Sequence, residues 1–127
     1  DRLSRTYVFK RLIESGANLT FGSDWTVAPL NPVTGIFAAV TRRTRDGKNP
    51  QGWYPNEKIS VEEALRSYTI NNAYAAFWEN KTGSITAGKY ADFAVHSVNF
   101  LTATPEDILH SKVLRTVVAG KDYIFEK

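Results

Sequence analysis

The chain has 127 residues, enough for one domain or parts of two, and its 43 % hydrophobic and 23 % charged residues exclude a disordered chain. Seven Phe, six Tyr and three Trp supply the apolar area a core requires. The net charge of +3 is dispersed, with Arg42, Arg43 and Arg45 its only dense cluster, so no nucleic-acid footprint is expected.

In chain order, Ser4 is placed to cap a helix whose apolar residues Val8, Phe9, Leu12 and Ile13 recur at helical spacing, with Gly16 just past its end. Leu19-Thr20-Phe21 reads as a short buried strand that ends at Gly22-Ser23-Asp24. Asn31-Pro32 opens a second helix, and Val33, Ile36, Phe37 and Val40 form its apolar stripe. Residues 43–58 carry two Pro, two Gly and the Trp53-Tyr54 pair, the mark of a long loop.

Ser60-Val61-Glu62-Glu63 matches a capping box, and the helix after it turns Val61, Ala64, Leu65 and Tyr68 inward. Thr69, with Asn72 three residues on, restarts a helix that ends near Trp78. Beyond residues 79–83 the pattern changes to strands: Tyr90–Val95, Lys112–Ala119 and Asp122–Phe125, the last two joined across Gly120-Lys121 as a hairpin. Thr104-Pro105-Glu106-Asp107 starts a short helix between them.

Asp24 is the most informative residue. It directly follows an apolar segment, and in parallel α/β folds ligands and catalytic groups gather at the carboxyl ends of strands. An Asp capping the loop after a strand gives the same local sequence, so position alone leaves both readings open. Arg42, near the end of its helix, either reaches a substrate carbonyl or carboxylate or complements the helix dipole. Trp53 either lids a site or pins its loop to the core. His96 and His110 have no spaced partner and read as surface or cap residues.

Several motifs occur in order: Phe21-Gly22-Ser23-Asp24-Trp25, Pro29-Leu30-Asn31-Pro32, Ala38-Ala39-Val40-Thr41-Arg42, Ser60-Val61-Glu62-Glu63-Ala64-Leu65, Thr69-Ile70-Asn71, Gly83-Ser84-Ile85 and Gly88-Lys89-Tyr90-Ala91-Asp92-Phe93. This series resembles the C-terminal part of the amidohydrolase superfamily, in the branch of YtcJ-like proteins and N-substituted formamide deformylases. The resemblance implies an α/β fold: the last helix–strand–helix unit of a metal-dependent hydrolase (β/α)8 barrel with trailing helices over residues 1–80, and strands of the small urease-type β-sandwich over 81–127.

It also implies that Asp24 ligates or borders one or two divalent ions, usually zinc, and shuttles a proton during hydrolysis of a C–N bond in an amide or cyclic amide. Asp92 then belongs to a structural turn. The His-x-His pair, the mid-barrel Lys or Glu and the later His ligands of such a site are all missing from these residues. The isolated chain is therefore expected to be inactive, and a non-catalytic interaction module built on the same scaffold is the alternative. With no Met and Asp1 first, an excerpt or processed piece is expected. Partnerless strands predict self-association. No apolar run reaches the length of a membrane span, and the absence of cysteine leaves the compartment open, the cytoplasm slightly favoured.

Overall fold

In the computed structural model, which describes residues 2–124, the helices begin where local chemistry prepares them. Asn31 Oδ1 accepts from the Val33 amide at 3.0 Å and Pro32 takes the first helical position, opening α2, Pro32–Thr41. The Ser60/Glu63 capping box opens α3, Val61–Tyr68, with Glu63 N–H donating to Ser60 Oγ at 3.1 Å and Ser60 N–H to Glu63 Oε2 at 2.7 Å. Thr104 and Asp107 repeat that exchange at α5, Pro105–Leu109.

Val33, Ile36 and Ala39 of α2, Ala64 of α3, Ile108 of α5 and the intervening Ile59 and Phe100 form one buried core. Val40, predicted in the stripe of α2, packs at its margin, half-buried. Val33 and Ile108 are wholly buried, and each contributes roughly 1.5–3 kcal/mol of apolar burial. Arg43 ties α2 to α5 through Glu106, with its guanidinium 5.1 Å from the Phe37 ring centre.

Four expectations are corrected. Ser4 does not cap α1, Phe9–Glu14. It lies in a separate 3-10 turn, Leu3–Arg5, and Val8 holds the capping position without a side-chain bond. Gly16, by contrast, takes the predicted left-handed backbone at φ +90°, and Ala17 N–H reaches Leu12 O at 3.0 Å. Thr69 breaks α3 from α4, Ile70–Ala75, as predicted, but as a terminator and not a cap: its hydroxyl donates back to Leu65 O at 2.7 Å.

Leu19-Thr20-Phe21 takes no regular secondary structure, pairs with no strand among the described residues and is not buried, Leu19 and Phe21 being half-buried and Thr20 exposed. Helix groups satisfy it instead. Phe21 N–H donates to Ser67 O at 3.0 Å, while Asn71 Nδ2 and Asn72 Nδ2 each donate at 2.9 Å, to Leu19 O and Phe21 O.

The last correction concerns the hairpin. β1, Phe93–His96, β2, Val113–Val118, and β3, Lys121–Ile124, form an antiparallel sheet in that order. Val118 pairs with Lys121, so the turn residues are Ala119 and Gly120 and not Gly120-Lys121. Both have positive φ, +49° and +75°, as the tightest hairpin turn requires. Asp92 supports this turn: its Oδ1 accepts from Ala119 N–H at 2.7 Å and its Oδ2 from Thr82 Oγ1 at 3.3 Å. The predicted Phe125 lies outside the described residues.

Candidate functional site

Asp24 sits where the helix-held segment ends. Its backbone is left-handed, φ +50°, and its carbonyl accepts from Val27 N–H at 2.7 Å, so the chain turns sharply there. The side chain is exposed and makes no hydrogen bond or ion pair among the described residues. In the six residues that follow it Trp25, Val27 and Leu30 are exposed at 65 %, 83 % and 65 %, an unusual amount of open apolar surface in one short segment.

Arg42 is placed differently. It follows α2 in left-handed backbone, φ +60°, and folds inward to become buried. Nε donates to Trp53 O at 3.1 Å and Nη1 to Tyr7 O at 2.9 Å, and the guanidinium stands 5.2 Å from the Phe9 ring centre and 5.1 Å from that of Trp53. Burial pushes its pKa down from the usual guanidinium range, opposed by the Glu57 charge.

The 43–58 loop returns to Arg42 and is fixed there. Trp53 N–H donates to Arg42 O at 2.7 Å, and Asn49 Nδ2 reaches the same oxygen at 3.2 Å. Gly52, at φ +84°, lets the loop lie directly on the Thr41 carbonyl, a place where any side chain would collide. Glu57 anchors the far end of the loop: it is buried and accepts from the Arg11 guanidinium and, at 3.3 Å, the Arg11 amide. Burial raises its pKa, but the Arg11 hydrogen bonds and the charges of Arg11 and Arg42 outweigh this and hold the carboxyl below its ordinary range.

Arg42 and Trp53 thus share one cleft of about 340 Å³, floored by Phe9, Phe21 and Tyr68. Gly22 lies in its wall, whereas Asp24 stands two residues beyond, outside the lining. Phe21 packs on Phe9 at 5.1 Å and on Tyr68 at 5.6 Å between ring centres. The structure therefore brings two of the three sequence-predicted residues together and leaves the third on the adjoining surface.

Both histidines lie elsewhere. His96 ends β1 half-buried, its ring 4.5 Å from that of Phe100, and desolvation lowers its pKa. His110 follows α5, exposed, with Nδ1 2.8 Å from Glu106 O. No group of three His, Cys, Asp or Glu able to hold a metal occurs among the described residues. No helix of the described residues is long and apolar enough to cross a membrane.

Sequence reasoning passed over Glu57 and the two helix amides. Glu57 sits in a polar loop and its partner lies 46 residues away, which no local pattern reports. Asn71-Asn72 carried a signal: adjacent poor helix formers at a helix start whose amides need acceptors.

A profile described as the amidohydrolase family matches residues 1–122. The chain belongs to that family. Among its relatives, Protein LONG AFTER FAR-RED 3 of Arabidopsis thaliana is 40 % identical over 119 residues, covering 94 % of this chain and 20 % of the plant protein. Putative amidohydrolase YtcJ of Bacillus subtilis (strain 168) is 31 % identical over all 127 residues and 24 % of its own length. The N-substituted formamide deformylase of Arthrobacter pascens is 30 % identical, covering 91 % of this chain and 21 % of that enzyme. A crystal structure of an amidohydrolase from Thermotoga maritima MSB8 superposes with a TM-score of 0.71 at 21 % identity, over 94 % of this chain and 26 % of that one, a likeness of fold. This amidohydrolase chain spans a fifth to a quarter of the curated relatives it matches.

Proposed function

We propose that the protein containing this chain hydrolyses a C–N bond in an amide or cyclic amide, with Asp24 as its proton-transferring carboxylate and as a metal ligand. The observation that carries this reading is the Asp24 side chain itself: exposed, without a partner among the described residues, and at the end of a helix-held segment in a chain of the amidohydrolase family. Residues 1–80 are read as the last unit of a (β/α)8 barrel and its trailing helices, and 81–127 as part of the small β-sandwich. Asp24 then stands at the carboxyl end of a barrel strand, where such folds keep their chemistry.

A divalent ion, one or two of them and zinc by resemblance, supplies an electrophile for the amide oxygen and acidifies water when bound. Asp24 accepts the proton of the attacking water and delivers it to the departing nitrogen, which must be protonated to leave as an amine. Arg42 and Trp53 are read as substrate-binding. This chain alone is inactive on this reading, since one carboxylate cannot hold a catalytic ion, and its partnerless backbone edges promote self-association.

In the full-length protein, Asp24→Asn keeps the side chain's shape and removes its basicity. Turnover of an amide substrate is expected to fall by at least about a hundredfold, the lower end of what general acid–base catalysis contributes. Near-normal turnover with metal content unchanged would overturn the role. A second reading, a non-catalytic interaction module, is favoured by the Arabidopsis relative, whose name states no activity. Absence of amide hydrolysis and of bound metal in the wild-type full-length protein would select it.

A further inference from the structure

The cleft beside Asp24 carries more than a place for Arg42 and Trp53. Its volume, about 340 Å³, lies in the range of small-molecule sites, and its floor of Phe9, Phe21 and Tyr68 with Ala38 and Ala39 of α2 is apolar. Its buried charge is incomplete. Arg42, only 8 % exposed, gives Nε and Nη1 to backbone carbonyls, while Nη2 is closed off from water and has no acceptor. No carboxylate of the described residues lies within ion-pair distance of it, and Glu57 is engaged by Arg11. A buried donor without an acceptor is rare in native proteins and points to a missing group. An Arg beside aromatic walls favours a planar, anionic one.

The geometry points to a subsite for an aromatic or branched-alkyl carboxylate, with its apolar body on Phe21 and Tyr68 and a carboxylate oxygen on Arg42 Nη2. Tyr7, 66 % exposed on the rim, sets its ring edge-on to Phe9 and Trp53 and its carbonyl on Arg42 Nη1, so a ligand oxygen reaches Nη2 by displacing that ring. Gly22 forms part of the wall, and Asp24 follows within about 7 Å, the reach of two extended residues. The inference rests on the reading of Asp24 given above and narrows the substrate to amides whose apolar substituent carries a carboxylate.

The test is calorimetric titration of the full-length protein with phenylacetate and with its neutral analogue phenylacetamide. Phenylacetate is expected to bind about ten- to a hundredfold tighter, the value of a charge-assisted bond, and Arg42→Met to erase that preference. Ala38→Leu fills the cleft from an exposed helix position, leaves the fold intact and is expected to abolish binding of both. Asp24→Asn is expected to leave phenylacetate binding unchanged.

No binding, equal affinity for the two probes, or binding indifferent to Ala38→Leu overturns the subsite. Binding lost in Asp24→Asn and kept in Ala38→Leu places the carboxylate at a metal centre, which refutes the subsite and leaves the Asp24 reading standing. Binding that depends on Ala38, together with full turnover by Asp24→Asn, keeps the subsite and removes the catalytic reading.

Discussion

The segment that leads to Asp24 is held by helices, and removing two amides tests how firmly. Asn71 Nδ2 and Asn72 Nδ2 each donate at 2.9 Å to carbonyls two residues apart, Leu19 O and Phe21 O. A side-chain hydrogen bond of this kind contributes about 0.5–1.5 kcal/mol net. Ala is also the better helix former by about 0.5 kcal/mol, so each Asn→Ala change in α4 returns part of the loss to global stability. Urea denaturation of the double variant should thus show a small cost, about 0–2 kcal/mol.

Local opening feels the bonds without that offset. Releasing about 1–3 kcal/mol from one segment raises its open population by about five- to 150-fold. The reporter is the Phe21 amide, which still donates to Ser67 O at 3.0 Å and exchanges when the segment lifts. Its exchange in Asn71→Ala/Asn72→Ala should accelerate by that factor, while the Ala64 amide within α3 follows global stability alone. Unchanged Phe21 exchange together with a gain in global stability would refute the view that the helices position this segment.

Three other outcomes follow from the loop and the core. Glu57→Gln should destabilise the protein near neutral pH. Because the folded carboxyl titrates below its unfolded value, the stability it adds is full above the ordinary Glu pKa of about 4.3 and fades as pH falls through the lower folded value. Urea midpoints of wild type and variant should converge in acid, and a constant gap would count against the ion pair. Gly52→Ala should cost at least about 2 kcal/mol, from a left-handed backbone and a collision with the Thr41 carbonyl; a thermal midpoint equal to wild type would argue that the loop is not seated on α2. Ile108→Ala, at a position with no exposure, should lose about 2–5 kcal/mol in chemical denaturation, and less than 1 would place the core elsewhere.

Legibility in this chain follows the range of the interaction. Asn31, Ser60 with Glu63, and Thr104 with Asp107 bond to amides two or three residues away, so each helix start they make is written locally. The error at Ser4 has the same origin, since a capping residue can as well be taken by a neighbouring turn. Leu19-Thr20-Phe21 carries the apolar character of a strand, but a strand also needs partners, and the groups that satisfy it come from 46 to 52 positions away. The inward fold of Arg42 depends on Tyr7 and on a loop that returns 11 residues later. Position in the chain made that residue a candidate; only the fold decides whether its charge faces water or a cleft.

The exposure of Asp24 bears on what remains to be supplied. Proton transfer by a carboxylate gains from an enclosure that lowers the dielectric around it. Trp25, Val27 and Leu30 follow it within six residues, all largely exposed, which is costly surface for a site meant to stay open. On the proposed reading these side chains are half of an enclosure whose other half lies in the remaining three-quarters or more of the protein that its relatives' lengths imply. The apolar rim and the carboxylate then belong to one device. In the full-length protein Trp25→Ser should therefore lower turnover without changing the midpoint of urea unfolding, since on that reading the ring helps to enclose Asp24 while, 65 % exposed, it adds little to the core. A loss of stability with turnover preserved would mean that the rim is packing surface alone.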